Sequence, residues 1–357
     1  MLQVAGAVVV VGFVAGLVLG NRAEFPQAWH ALRHARPVWI AVMVLATLVA
    51  LVNVAMFTAA AQRAAGLDTR AVELYEAATV ANFLNRVTKS GGLAGLAPIS
   101  AQARRAGRPL PPVVAAYLLV VLIGQWTFAV VLVVTLAIMW ASGDLFAAEI
   151  VASLVFAAVV LAQLAAVVAA WRSPATLRRL HAATARLRAR LTRRPLRAVD
   201  PRAADEFTSA LQIIRRSPWR CVAVAGHGFV VEICGVVQLA AAIAAVGGGR
   251  RIVPALVVYS VGVLFSIVGF LPAGIGFVEV SSTATLVTFG VNVGAAAACV
   301  LLFRVAELWI PVAIGGVLAL RRRRTPATHA PPTSPASPAP PATPATPAPP
   351  TASGQAP

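Results

Sequence analysis

Ser266-Ile267-Val268-Gly269-Phe270-Leu271-Pro272-Ala273-Gly274-Ile275-Gly276-Phe277-Val278-Glu279 breaks a long apolar run with glycines and a proline, and ends on a carboxylate. A counterpart in the first half reads Asn82-Phe83-Leu84-Asn85-Arg86-Val87-Thr88-Lys89-Ser90-Gly91-Gly92-Leu93-Ala94-Gly95. Non-helical backbone at membrane depth survives only where protein covers it or where it lines a polar cavity, because lipid cannot bond its N–H and C=O groups. A pair of Gly/Pro-interrupted segments, one per half, points to a substrate site in a transporter built from repeats.

The surrounding chain is 59% hydrophobic and 12% charged, with a mean hydropathy of +0.82. Uncharged runs cover 2–20, 37–62, 109–143, 150–171, 252–278 and 280–303, most of them beyond the ~20 residues that cross a bilayer. An ordinary soluble domain is excluded. The expected fold is all-α and polytopic, a pseudo-repeat with hydrophobic segments near 2–20, 37–60, 71–97, 111–140, 148–171, 218–246, 252–271, 273–292 and 294–320. Segment 2–20 lacks a basic leader and a small-x-small cleavage site, so it reads as a retained helix. Segments 71–97 and 273–292 are broken and can cross or re-enter.

Charge sets the orientation. The net charge is +18, and Lys89 is the single lysine among thirty basic residues. Nucleic acid is the weaker reading of such a charge; in a membrane protein arginine marks the cytoplasmic loops. Loop 172–217 and Arg321 to Arg324 therefore belong on the cytoplasmic side of a bacterial-type plasma membrane. If every segment crosses, the N-terminus lies outside; if 71–97 re-enters, the first two helices flip.

The domain division is 1–171, 172–217, 218–324 and 325–357. In the basic loop, Leu177, Leu180, Thr184, Leu187 and Leu191 form one mostly apolar helical face surrounded by arginine, suited to an anionic lipid surface or to packing beneath the bundle. Asp200-Pro201 opens a second short helix with Phe207, Leu211 and Ile214 on one side. Residues 325–357 are almost wholly Pro, Ala, Thr and Ser, and read as a disordered tail.

Ionisable residues inside apolar segments are the functional candidates. Glu279 falls in the first turn after Gly276, where a helix N-terminus favours negative charge; it could cap locally, bind a cationic group or take up a proton. Arg304 and Glu307 are spaced to pair on one helix face, as a structural ion pair or as a substrate clamp. Glu232 has no local partner, and Arg304 is one candidate across the bundle. Arg86 and Lys89 precede Gly91 and Gly92, a combination of cations and backbone amides that suits phosphate; both side chains could equally snorkel. Glu73 and Glu76 stand at the mouth of the same segment. His30 and His34 lack a third ligand, and Cys221, Cys234 and Cys299 lack CxxC spacing, so no metal site or cofactor is expected. His227 reads as a hydrogen-bonded core residue. No nucleophile elbow, P-loop or dinucleotide fingerprint appears, and no enzyme activity is expected.

Leu271-Pro272-Ala273-Gly274-Ile275-Gly276-Phe277-Val278-Glu279, followed by Phe289-Gly290-Val291, Arg304, Trp309-Ile310-Pro311 and Gly315-Gly316, resembles the lysylphosphatidylglycerol synthase transmembrane region. The stretch from Asn85 through Gly92 to Gly107 resembles that family's other glycine-rich segment. Ala273 stands where the family has a glycine and Thr88 where a proline is common. The resemblance implies a flippase-like protein that moves a charged-headgroup lipid between leaflets, with Arg86, Lys89, Gly91, Gly92, Pro272, Gly274, Gly276, Glu279, Arg304 and Glu307 around the substrate. It does not imply lipid aminoacylation, because no aminoacyl-transferase domain follows Arg324. The alternative is a non-transporting scaffold for envelope-lipid or glycan enzymes, and a buried, self-paired Glu279 and Arg304 would favour it. A third class, an intramembrane enzyme on polyprenyl lipids, would need a converging acid/base pair that the sequence does not reveal.

Overall fold

The computed structural model describes His30 and residues 33–88, 90–143, 147–172, 201–249, 251–268 and 272–324. Segment 2–20, Lys89, the helix expected within 173–200 and the tail 325–357 lie outside the described residues. Among those described, every regular element is helical, as an all-α polytopic membrane protein requires.

Four spans are long and apolar enough to cross a membrane: Pro37–Ala64, Leu110–Ser142, Pro218–Ala245 and Val293–Arg321. The first three are helices α1, α4 and α7. The fourth runs through α10 (Val293–Arg304), a π-helical turn (Val305–Trp309) and α11 (Ile310–Arg324). Proline within the first turn starts α1, α4 and α7, where its missing N–H costs nothing. Helix α5 (Ala147–Arg172) packs on α4 through Phe128 and Phe156, edge to face with centroids 5.3 Å apart.

Between these spans lie two hairpins. Helix α2 (Ala71–Val87) is about 25 Å long and α3 (Leu96–Arg105) about 15 Å at 1.5 Å per residue, both short of a ~30 Å hydrocarbon core. Their outer ends are tied together: Arg108 Nη2 donates to Glu73 Oε2 at 2.6 Å and to the Asp68 carbonyl at 3.2 Å. The Gln102 amide donates to the Glu73 carbonyl at 3.2 Å. Segment 71–105 therefore enters and leaves through one face. In the second half, α8 (Ile252–Val268) and α9 (Phe277–Thr288) do the same, joined at the base by Arg251 Nη1 donating to the Phe289 carbonyl at 2.8 Å.

The two hairpins open on opposite faces. The base of the first adjoins the C-terminal end of α1 and the N-terminal end of α7, where Arg220 donates to the Arg63 carbonyl at 3.0 Å. The base of the second adjoins the other ends of the same helices, where the Arg36 N–H donates to the Ala245 carbonyl at 3.0 Å. Of the two counts left open by the sequence, this arrangement fits the one in which 71–97 re-enters. Residues 61–70 share a face with helix α6 (Pro201–Arg216), and Gly66 lies against Ile213. Counting 71–97 as a crossing places them on the opposite face. The physical reason is length: neither arm spans hydrocarbon, so the chain turns back.

Helix α6 carries its apolar side as expected, with Ala210 and Ile214 buried and Phe207 and Leu211 packed on the same cluster as Phe57, Ala61 and Val224. Its C-terminal end adjoins α7, and α11 runs toward the same face. At the centre, Leu239, Ile243, Val258, Leu286 and Cys299 form the largest core cluster, and Cys299 serves as a small apolar residue within it. Helix α11 crosses α2 closely at Gly315, where an added Cβ would stand 2.4 Å from Phe83 Cβ and 3.0 Å from the Thr79 carbonyl. Small residues permit such approaches between membrane helices.

Candidate functional site: an ion-pair chain between two hairpin tips

Breaking a helix at membrane depth frees backbone groups, and each tip meets that cost with side chains of its own and of a neighbouring helix. At the first tip, Gly91 and Gly92 both have positive φ (61° and 85°) and turn the chain. Asn85 Oδ1 accepts from the Gly95 N–H at 2.8 Å, and Ser90 Oγ accepts from the Ala94 N–H at 2.9 Å. Tyr117, reaching in from α4, donates to the Gly92 carbonyl at 2.6 Å and accepts from the Asn85 amide at 2.9 Å. Thus Asn85, Ser90 and Tyr117 hold the tip.

The second tip uses charge. Gly276 has φ 87°, and α9 begins at the next residue, so Glu279 sits in its first turn. Glu279 Oε2 accepts from the Gly276 N–H at 2.6 Å, while Oε1 accepts from Arg304 Nε at 2.7 Å. Arg304 Nη2 donates to the Ala273 carbonyl at 2.9 Å, in the turn Pro272–Gly274. Glu279 and Arg304 are 8% and 4% exposed. The pair therefore braces a broken backbone, and both its members are already committed to that task. Gly274 is also fixed by space, since an added Cβ would lie 2.6 Å from Ser266 Cα. Ala273, at φ 52°, is the non-glycine residue with positive φ among those described.

From Arg304 the charges continue to the first tip. Arg304 Nη1 donates to Glu307 Oε2 at 3.2 Å. Glu307 Oε1 accepts from Arg86 Nη1, and Arg86 Nε donates to Asn82 Oδ1 at 3.2 Å. Glu279, Arg304, Glu307 and Arg86 thus alternate in sign, sum to zero and join the two hairpin tips. Glu307 stands on the π-helical turn, a geometry that recurs at functional sites.

The Arg86 end of this chain is the open end. The side chains of Arg86 and Glu307 are 27% and 23% exposed, against 5% and 10% for Arg304 and Glu279. They border a cavity of about 90 Å³ whose other polar lining comes from Thr47, Asn82, Gln238 and Tyr259. Glu232 lies behind that wall, buried, and accepts a hydrogen bond from the Tyr259 hydroxyl at 2.9 Å. Its observed partner is thus a phenol and not Arg304, whose guanidinium is held by Glu279, Glu307 and Ala273.

Several expected positions fall away from the cavity. Glu73 closes the base of the first hairpin. His227 is half-buried and hydrogen-bonded to α1, with Nδ1 donating to Asn53 Oδ1 at 2.7 Å and its carbonyl accepting from the Asn53 amide at 2.9 Å. His30 and His34 stack at the end of the described chain, and among the described residues no three His, Cys, Asp or Glu side chains converge as a metal site would need. Sequence reasoning passed over Asn82, Tyr117, Gln238 and Tyr259. Asn82 and Gln238 carried a signal, as amides within apolar segments; the two tyrosines carried none.

The family described as the lysylphosphatidylglycerol synthase TM region matches residues 3–315, which takes in both hairpins and the whole ion-pair chain. The chain belongs to that family. A UPF0104 membrane protein of Pyrococcus horikoshii is 31% identical over 78 residues, covering 22% of this chain and 23% of that protein. That match supports an integral membrane protein.

Proposed function

We propose that this protein moves a lipid with a charged headgroup between the leaflets of a bacterial-type plasma membrane, with its arginine-rich face toward the cytoplasm. What supports this reading most is the cavity on the Arg86–Glu307 pair, lined by both polar and apolar side chains, at the meeting point of two hairpins that enter from opposite faces. Broken helices around a midplane site are the architecture of alternating access. The headgroup passes through the polar zone while its acyl or prenyl chains remain in lipid. No covalent step is involved. Anionic lipid on the basic face would engage loop 172–217, and envelope-biosynthesis proteins are candidate partners.

The scaffold reading stands second, and one observation favours it: Glu279 and Arg304 are buried and neutralise each other, as a purely structural pair would. The test is translocation of fluorescent phospholipids by the full chain in proteoliposomes, read by quenching from outside. Protein-dependent translocation that falls in Arg86→Gln supports transport. Rates equal to those of empty vesicles would leave the scaffold.

A further inference from the structure

The Arg86–Glu307 pair differs from the other ion pairs of the described residues. Arg304–Glu279 is almost fully buried and fixed to backbone; Arg108–Glu73 closes an outer hairpin base with Glu73 42% exposed. Arg86–Glu307 is half-sheltered, borders the cavity, and links a residue of α2 to one of the π turn. Each member also keeps a second partner. Arg86 holds Asn82, and Glu307 holds Arg304. Glu307 can release Arg86 and stay paired to Arg304, whereas a released Arg86 keeps only the neutral Asn82 oxygen and needs a new anion.

We infer that this pair reads the headgroup: it parts to admit a zwitterionic phosphate–ammonium headgroup, whose phosphate takes Arg86 and whose ammonium takes Glu307. This rests on the translocation reading above and names the substrate class for it.

Three observations carry the inference. The first is charge balance. The four-charge chain sums to zero, and the remaining polar lining of the cavity (Thr47, Asn82, Gln238 and Tyr259) is uncharged. A net anion entering this zone finds no counter-ion that is not already matched. A zwitterion brings one charge of each sign and leaves the sum at zero, so the low-dielectric cost of separating Arg86 from Glu307 is offset at both ends. The second is space. The cavity is small, about 90 Å³, and Arg86 and Glu307 form part of its wall, so a headgroup that enters it meets the pair directly. The third is the commitment of Glu279. Its two oxygens are held by the Gly276 N–H and by buried Arg304, whereas one oxygen of Glu307 is held by the half-exposed Arg86 at the cavity, so Glu307 is the carboxylate that a parted pair presents to an ammonium.

The test uses the full chain in proteoliposomes and compares fluorescent phospholipids with phosphoethanolamine and phosphoglycerol headgroups. In parallel, the shift in melting midpoint on adding short-chain lipids of each kind reads recognition without transport. The wild type is expected to favour phosphoethanolamine about tenfold or more in both readouts, roughly the factor one good charged contact supplies. Glu307→Gln should collapse that ratio toward one by losing the ammonium partner while keeping Arg86. The double variant Arg86→Gln/Glu307→Gln removes both charges together, preserves the neutral balance needed to fold, and should recognise neither headgroup. Equal treatment of the two headgroups by a translocating wild type, or an unchanged ratio in a folded Glu307→Gln protein, overturns the inference and leaves the translocation reading intact. Headgroup-selective binding without translocation overturns the transport reading and leaves the headgroup reading intact. Neither binding nor translocation overturns both.

Discussion

Glu279→Gln separates bracing from direct substrate contact. The carboxylate accepts from two donors, the Gly276 N–H at 2.6 Å and Arg304 Nε at 2.7 Å, at a site 8% exposed. A glutamine offers one carbonyl oxygen, so one of those donors would face the new amide donor instead. Breaking a buried ion pair by removing one partner costs about 3–5 kcal/mol. Here Arg304 keeps Glu307 and the Ala273 carbonyl, which sets the expected loss at the lower end, about 3 kcal/mol, or roughly a hundredfold in the folded-to-unfolded ratio. Thermal unfolding in nanodiscs measures it.

Arg304→Gln should cost more. It strands Glu279 on one backbone N–H and removes the donor from Ala273. The double variant should recover about 1–3 kcal/mol relative to the sum of the singles, the range for residues in one network. Translocation per folded molecule should be unchanged in Glu279→Gln. A variant as stable as wild type with an additive cycle, or a stable one with no transport, would refute the bracing role.

Three further outcomes are expected. Ala273→Gly relieves a left-handed alanine at φ 52° and should stabilise the protein by about 0.5–1 kcal/mol, the alanine penalty less the added freedom of the unfolded glycine; a loss of stability would show that the methyl group packs usefully. Gly315→Leu drives a side chain into Phe83 and the Thr79 carbonyl and should cost about 1–3 kcal/mol by overpacking; wild-type stability would show that α11 and α2 are not closely crossed. In a background lacking Cys221, Cys234 and Cys299, single cysteines at Asp68 and Ser209 should label from one side of oriented vesicles and a cysteine at Ser142 from the other; labelling of Asp68 and Ser142 from the same side would mean that 71–97 crosses.

The membrane class and both breaks were legible because they rest on local properties: uncharged run length, and Gly/Pro where helix should continue. The start of α9 just after Gly276 was legible for the same reason. Whether a broken segment crosses or turns back was not, since that depends on which residues meet at the base. Nothing in the spacing of Glu73 and Arg108, or of Arg251 and Phe289, announces a hairpin closure. The site was legible as a set of residues and not as a set of pairs. Arg304 and Glu307 sit three apart, so their contact followed from helix geometry. The Arg86–Glu307 and Glu279–Arg304 contacts join distant elements, and the phenol that serves Glu232 comes from a separate helix. Ala273 shows the converse: the departure from the family pattern was visible, and the positive φ that gives it an energetic consequence was not.

The alternation of sign along Glu279, Arg304, Glu307 and Arg86 decides where motion is cheapest. An inner member has an opposite charge on each side, so displacing it breaks two attractions; an end member breaks one. The two ends are not equivalent. Glu279 is also bonded to the Gly276 N–H, so moving it would unsatisfy backbone that lipid cannot re-bond. Arg86 is otherwise held by the Asn82 amide oxygen, a side chain that can follow it or turn to water in the cavity. The first hairpin tip, held by Asn85 and Tyr117 independently of Arg86, stays formed when that arginine moves. Partner exchange therefore belongs at the Arg86 end, and rigidity at the Glu279 end. A transporter needs both, because a headgroup must displace something without unravelling the broken helices that frame it.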